Sequence, residues 1–168
     1  TGESVAKYLK KKNFLNVKIW DDKIKLKNKK KKFLEYLDLS DYIILSPGIS
    51  LKNAKLKSKL FKNRKKIITD IDLFYLFNPD IKTIVITGTN GKSTTCKMLE
   101  HVLKKNKINV RLGGNIGMPV LDLNLNNEPI VIIEASSFQL AYSQFVRPDY
   151  AAILNITNDH LDWHGSMN

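Results

Sequence analysis

Cysteine is nearly absent from this sequence. Cys96 stands alone among 168 residues, so no internal disulfide can form, and a reducing compartment fits. Arginine is scarce as well. Arg64, Arg111 and Arg147 stand against a formal net charge of +12, so the basic excess is almost all lysine. Such a balance is compatible with nucleic acid. Yet the lysines are spread along helix faces or bunched in the run Lys27 to Lys32, and aromatic residues do not alternate with them as in single-strand binders. The run reads as a solvated loop or helix start. No apolar stretch approaches the roughly 18 residues of a membrane helix, and no secretory leader opens the chain. The expected location is the cytoplasm, with neither a nucleic-acid nor a membrane partner.

What is present alternates between strand and helix. The hydrophobic content of 43% supports one ordinary domain or two small ones. Val17, Ile19 and Trp20 predict a short strand ending at Asp21-Asp22; Phe33, Leu34 and Leu37 predict a helix. Tyr42 to Leu45 is an apolar run stopped by Ser46-Pro47-Gly48, which reads as a buried strand and turn. Leu56, Leu60 and Phe61 have helical spacing, and Ile67-Ile68 is a further short strand. From there the pattern strengthens, with strands at Thr83–Thr87, Val110–Leu112, Pro129–Glu134 and Ala151–Ile156. A helix over Lys92–Lys105 puts Cys96, Leu99, Val102 and Leu103 on one face. The expected class is α/β, with parallel strands covered on both sides. Two units are expected, residues 1–69 and 70–168.

The chemistry concentrates after the strand at Thr83. Val85 to Thr95 reads VITGTNGKSTT. A β-branched strand enters and an amphipathic helix leaves, as a phosphate-binding loop requires: backbone N–H groups close on phosphate oxygens and the helix N-terminus adds its dipole. Lys92 can bridge the outer phosphates and Ser93 can ligate Mg²⁺. The common pattern G-x-x-x-x-G-K-[ST] would put glycine at Ile86, but the first glycine is Gly88. Glu134 ends an apolar strand. It is either an oxygen ligand for a hard cation at the carboxyl edge of the sheet or a solvated strand end. His160, with Asn155 and Asp159 nearby, reads as a metal ligand, a substrate contact or a structural histidine. Gly113-Gly114-Asn115-Ile116-Gly117 is a plain turn or a second place where backbone meets ligand.

The displaced glycine, together with GGNIGMP (113–119), EASSFQL (134–140), LNITNDHLDWHGSM (154–167), SPGIS (46–50) and DIDLF (70–74), resembles the Mur ligase family over essentially the whole sequence. The motifs point to the branch that joins D-glutamate to UDP-N-acetylmuramoyl-L-alanine. The resemblance implies a Rossmann-like UDP-substrate domain (1–69) followed by a P-loop-type ATPase domain (70–168). It implies an ATP- and Mg²⁺-dependent amide ligation through an acyl phosphate, in peptidoglycan synthesis, by a protein that is monomeric at full length. Gly88, Thr89, Asn90, Gly91, Lys92, Ser93 and Thr94 would hold ATP. Ser93, Glu134 and His160 would hold magnesium, and Lys92, Glu134 and His160 would form the catalytic set. Thr1, Asp21, Ser46, Pro47, Gly48, Asn115, Ser136, Gln139 and Asn155 would contact the UDP-muramoyl substrate.

Two departures stand out. Asp21-Asp22-Lys23 occupies the place of a usual Asp-Thr-Arg, and an acidic Asp22 is unfavourable beside a diphosphate. Trp163 replaces a frequent arginine. Both ends read as cut. The family's first strand, its carbamylated lysine beyond His160, the rest of the central domain and the C-terminal D-glutamate-binding domain are expected outside this sequence. The segment alone is therefore expected to be inactive. Two other readings remain at this point: a basic ATPase acting on nucleic acid, and a non-catalytic UDP-sugar binding module.

Overall fold

The structure is a computed structural model that describes residues 2–21, 30–51 and 56–164, with the side chains of 30–32 and 162 left aside. Thr1, Asp22, Lys23, part of the Lys27–Lys32 run and Gly165 to Asn168 lie outside the described residues. In chain order the elements are α1 (Gly2–Lys11), α2 (Lys30–Leu39), β1 (Ile43–Ile44), α3 (Lys57–Lys62), β2 (Ile67–Ile68), α4 (Asp70–Phe77), β3 (Thr83–Thr87), α5 (Lys92–Lys105), β4 (Val110–Gly114), β5 (Ile130–Glu134), α6 (Ser137–Tyr142), β6 (Tyr150–Ile153) and α7 (Leu161–His164).

The fold is α/β with parallel sheets. β1 and β2 pair in parallel, and β3 to β6 form a parallel sheet in the order β4-β5-β3-β6. β5, a central strand, is apolar on both faces because both are covered. Val131 and Ile133 join one core with Val5, Leu9, Ile68, Ile71, Phe74 and Val85. Ile132 points the other way, into a core with Ile86, Cys96 and Val110 beneath α5. The two-residue alternation of a strand thus feeds two helix layers. A third cluster, Leu37, Ile43, Leu45, Leu56, Leu60 and Ile67, lies among α2, α3 and the small sheet.

The structure corrects three expectations. Residues 17–20 form no strand. Trp20 instead stacks on Phe33 with ring centroids 4.8 Å apart, and Ile19 is exposed; alternating apolar residues define a face but supply no ladder partner. Val102 is 53% exposed, because Cys96, Leu99 and Leu103 already follow the i, i+3, i+7 spacing and Val102 lies about 100° around the helix from Leu103. The last strand stops at Ile153, since Leu154 to Thr157 bend back over the phosphate loop.

One surface carboxylate ties α2 to α3. Asp38 accepts hydrogen bonds from Lys59 and from Asn63, the latter at 2.8 Å, linking α2 to the end of α3. These bonds, with the charges of Lys59 and Lys62, hold its carboxyl at about 2, below its ordinary 3.8. The folded state therefore binds fewer protons than the unfolded one between those values. The contribution is complete above 3.8 and is lost as pH falls toward 2. Urea unfolding at a series of acid pH values should show a smaller loss of stability below about pH 4 in Asp38→Asn than in the parent.

Candidate functional site

The displaced glycine has a steric explanation. Gly88 has φ +137°, and a Cβ there would lie 3.1 Å from both the backbone N and O of Asn155. Thr89 N–H donates to Asn155 O at 3.1 Å. The Asn155 amide brackets the next residue, accepting from Asn90 N–H at 2.9 Å and donating to Asn90 O at 2.9 Å. Thr157 N–H donates to Thr89 Oγ1 at 3.0 Å. The loop is thus shaped by the segment that follows β6, and glycine is needed where the two backbones cross. Ile86 is an ordinary strand residue, 2% exposed in the α5 core.

Gly91, at φ +83°, is the N-cap of α5 and provides no side-chain cap, so the first N–H groups of this 14-residue helix are available to an anion. Lys92 donates its ammonium to Gly88 O at 2.7 Å and Thr89 O at 2.9 Å. That arrangement holds the charge over its own loop, where phosphate oxygens would compete with the carbonyls. Alanine at Gly88 would hold a conformation costing about 1–3 kcal/mol while pressing on Asn155. Gly88→Ala is therefore expected to weaken binding of a phosphate ligand at this loop roughly tenfold or more, as titration calorimetry would read.

Glu134 is 2% exposed at the end of β5. Its Oε2 accepts from Ser93 Oγ at 2.7 Å and its Oε1 from Asn115 Nδ2 at 2.9 Å. Asn115 N–H donates to Glu134 O at 2.8 Å. The β4 end can come this close because Gly114 has no side chain: a Cβ there would sit 2.4 Å from Glu134 O. Both side-chain donors to the carboxylate are neutral. A buried carboxylate with neutral donors favours a cation, and the carboxylate and hydroxyl oxygens are those a hard divalent ion prefers. These residues fit Mg²⁺. Cys96 lies below them, fully buried. Burial first, and the Glu134 charge second, push its thiol up to about 11, so it is no nucleophile.

Several of the remaining expected residues lie on or beside α6. Ser136 is the N-cap of that helix and forms a capping box with Gln139. His160, in the left-handed region at φ +51°, packs against Phe138 with ring centroids 4.7 Å apart and planes tilted by 56°, and lies 3.5 Å from the Asp159 carboxylate. Its side chain is 54% exposed. His164 contacts Ser137 Oγ at 2.9 Å. Among the described residues no group of three or more His, Cys, Asp or Glu side chains could hold a metal, so Glu134 and His160 do not share such a cluster. Thr94 is exposed in the first turn of α5. Ser46, Pro47 and Gly48 lie in a turn closed by Ile49 N–H on Ser46 O at 3.0 Å. Leu51 N–H, just beyond, donates to the Tyr142 hydroxyl at 2.9 Å, tying this turn to α6. Asp21 is an exposed residue at the edge of the described chain.

Sequence reading missed Asp70 and Asp72. The available signal was the capping-box spacing, which occurs twice, at Thr69…Asp72 and Ser136…Gln139. Asp72 is fully buried and accepts from Thr69 N–H (2.8 Å), Thr69 Oγ1 (3.1 Å), Gln144 N–H (2.9 Å) and Phe145 N–H (2.7 Å).

Residues 86–168 match the family described as the Mur ligase middle domain. The chain is 44% identical over 126 residues, 74% of its length, to the UDP-N-acetylmuramoylalanine--D-glutamate ligase of Wolbachia pipientis wMel, of which it covers 25%. It is 44% identical over 128 residues to the protein of that name from Rickettsia prowazekii (strain Madrid E), covering 76% of the chain and 28% of the relative. Over 165 residues, 96% of the chain, it is 38% identical to that of Francisella tularensis subsp. tularensis (strain WY96-3418), covering 38% of it. The chain thus spans between 25% and 38% of the length of these three relatives. Together with the loop held by Asn155 and the Ser93–Glu134–Asn115 cluster, these matches show that the chain belongs to the Mur ligase family.

Proposed function

We propose that the full-length ligase containing this segment joins D-glutamate to UDP-N-acetylmuramoyl-L-alanine at the expense of ATP, in the cytoplasm, as a step of peptidoglycan synthesis. Residues 1–69 would contribute to the UDP-substrate site and 70–168 to the ATP site. Because the segment covers 25% to 38% of those relatives, the reaction is assigned to the full-length ligase. The observation that carries this reading is the Ser93 hydroxyl resting on a buried Glu134 one turn from the phosphate loop.

The substrate's alanyl carboxylate takes the γ-phosphoryl group of ATP, giving an acyl phosphate and ADP. The amine of D-glutamate attacks the acyl carbon, the C–O bond to phosphate breaks, and an amide and inorganic phosphate result. The first step brings two anions together, so the barrier is largely electrostatic and positional. Lys92 would exchange the carbonyls of Gly88 and Thr89 for phosphate oxygens, and the uncapped N–H groups at the start of α5 would meet them. Thr94 lies in the first turn of α5, within reach of the same phosphates. Ser93 and Glu134 would hold a Mg²⁺ and His160 a second one, which would neutralise phosphate and carboxylate charge. Asn115, Ser136, Ser46, Pro47 and Gly48, with Thr1 and Asp21, would contact the UDP-muramoyl substrate. Gln139 is buried and acts through Ser136. Asn155 has its amide engaged by Asn90, so its service to the substrate is to hold the loop.

The test is isotopic. Substrate carrying ¹⁸O in the alanyl carboxylate should deliver one ¹⁸O to inorganic phosphate per amide formed. Phosphate free of ¹⁸O would overturn the acyl-phosphate route.

A further inference from the structure

We propose that Asp70 is a positioning residue that sets the hydrogen-bond polarity of Ser136, making Ser136 an acceptor toward the UDP-muramoyl substrate. This rests on the ligase reading above, in which Ser136 touches that substrate.

Asp70 is the first residue of α4 and is 3% exposed; Gln139, 69 positions later in the chain, is 2% exposed. Gln139 Nε2 donates to Asp70 Oδ1 at 3.1 Å. The other end of the same amide, Oε1, accepts from Ser136 N–H at 3.0 Å and from Ser136 Oγ at 3.1 Å. Two independent constraints fix the orientation of this amide. A backbone N–H can only donate, so Oε1 must face Ser136. Asp70 Oδ1 is an acceptor, so Nε2 faces it. The Ser136 hydroxyl then has its proton committed inward, to Gln139 Oε1. One of its lone pairs takes Gln139 N–H at 3.3 Å. What remains for a ligand is a lone pair.

Ser136 is half-buried, so this lone pair can meet substrate. It would accept from a donor such as an amide N–H or a sugar hydroxyl. It would not donate to a phosphate or carboxylate oxygen. Burial pushes the Asp70 carboxyl up, while the bonds from Gln139 and from the amides of Ile71 and Asp70 itself pull it back. The Gln139 bond is thus one of the interactions that keep Asp70 an acceptor.

The experiment uses the full-length ligase and steady-state kinetics on both substrates. Asp70→Leu removes the acceptor and leaves the Ser136 N–H as the remaining constraint on the Gln139 amide, so the turned amide with an outward Ser136 proton becomes populated. The expected result is a KM for UDP-N-acetylmuramoyl-L-alanine raised about tenfold, one hydrogen bond's worth, with the KM for MgATP within about twofold. Asp70→Asn, which retains Oδ1 as an acceptor, should stay within about threefold of the parent. In a Ser136→Ala background Asp70→Leu should add nothing further, since the effect runs through that hydroxyl. If Asp70→Leu does not fold, Asp70→Val, which is smaller and likewise offers no acceptor to Gln139 Nε2, is read in the same way.

An unchanged substrate KM in a ligating Asp70→Leu enzyme would overturn this inference and leave the ligase reading intact. So would an equal rise in both KM values, or a full effect that persists without the Ser136 hydroxyl. Absence of ligation by the parent enzyme would overturn both.

Discussion

Lys92→Ala in the full-length ligase is expected to lower the rate of D-glutamate-dependent ligation about a thousandfold, with little change in the melting temperature. The rate loss follows from what the ammonium does. It sits on Gly88 O and Thr89 O at 2.7 and 2.9 Å, beside the uncapped N-terminus of α5. Removing a single donor to developing charge in a preorganised site costs about 10²–10³ in rate, and here the donor also carries a full charge. Arginine should not restore activity, because a planar guanidinium cannot occupy the same point between two carbonyls. Stability should be nearly unaffected, since these bonds lie in a loop already held by Asn155 through three hydrogen bonds. Initial rates of ADP release at saturating substrates, paired with thermal unfolding of the same preparation, would check both parts. A drop of less than about tenfold would remove Lys92 from the catalytic account.

Asp72→Ala should have the largest effect on stability, lowering it by about 3–5 kcal/mol, the usual consequence of removing one partner from a buried charged network. The carboxylate is fully buried and receives three backbone N–H groups and one hydroxyl. Its Oδ2 closes the N-terminus of α4, while its Oδ1 holds the chain just after α6. Alanine would leave Thr69, Gln144 and Phe145 N–H groups without this acceptor in the interior. For a chain of this size the loss corresponds to roughly 10–15 °C in melting temperature. Calorimetry on the 168-residue chain would measure it directly. Asp72→Asn should lie between the two, because its amide keeps one acceptor oxygen but must point a donor at a donor on the other side.

These two aspartates mark where the sequence stopped being informative. The phosphate loop was readable because its parts are contiguous: a β-branched strand, two glycines, a lysine and a helix within eleven positions of VITGTNGKSTT. Glu134 was readable as the polar end of an apolar strand, although its choice between cation ligand and solvent-facing residue needed the burial and the Ser93 and Asn115 contacts. The reason for Gly88 was not readable, because the atoms it avoids belong to Asn155, far along the chain. Asp70 meets Gln139, and Asp72 meets Gln144 and Phe145, across similar separations. Local pattern carries no record of such partners, even though both capping boxes were present in the sequence. The failed strand at residues 17–20 has the same origin. Apolar alternation specifies a buried side, and a strand also requires a neighbour to pair with.

The coupled network also bears on the notion of two separate units. Ile68 of β2 and Val5 of α1 share a core with Val85 and Ile133 of the larger sheet, and Asp70 and Asp72 reach α6 and the segment following it. The turn at Ser46–Gly48, proposed above to contact the UDP-muramoyl substrate, is joined to that same helix through Leu51 N–H and Tyr142. Substrate contacts proposed on either side of residue 69 are therefore built on one continuous set of hydrogen bonds and packed side chains.

The most direct test of the account is product formation by the full-length ligase with UDP-N-acetylmuramoyl-L-alanine, D-glutamate, ATP and Mg²⁺, followed by mass spectrometry alongside ADP release. The account predicts a product heavier by one glutamyl residue, formed one-for-one with ADP and dependent on every component. ATP turnover that proceeds without D-glutamate, or that is driven by nucleic acid with no ligated product, would contradict it.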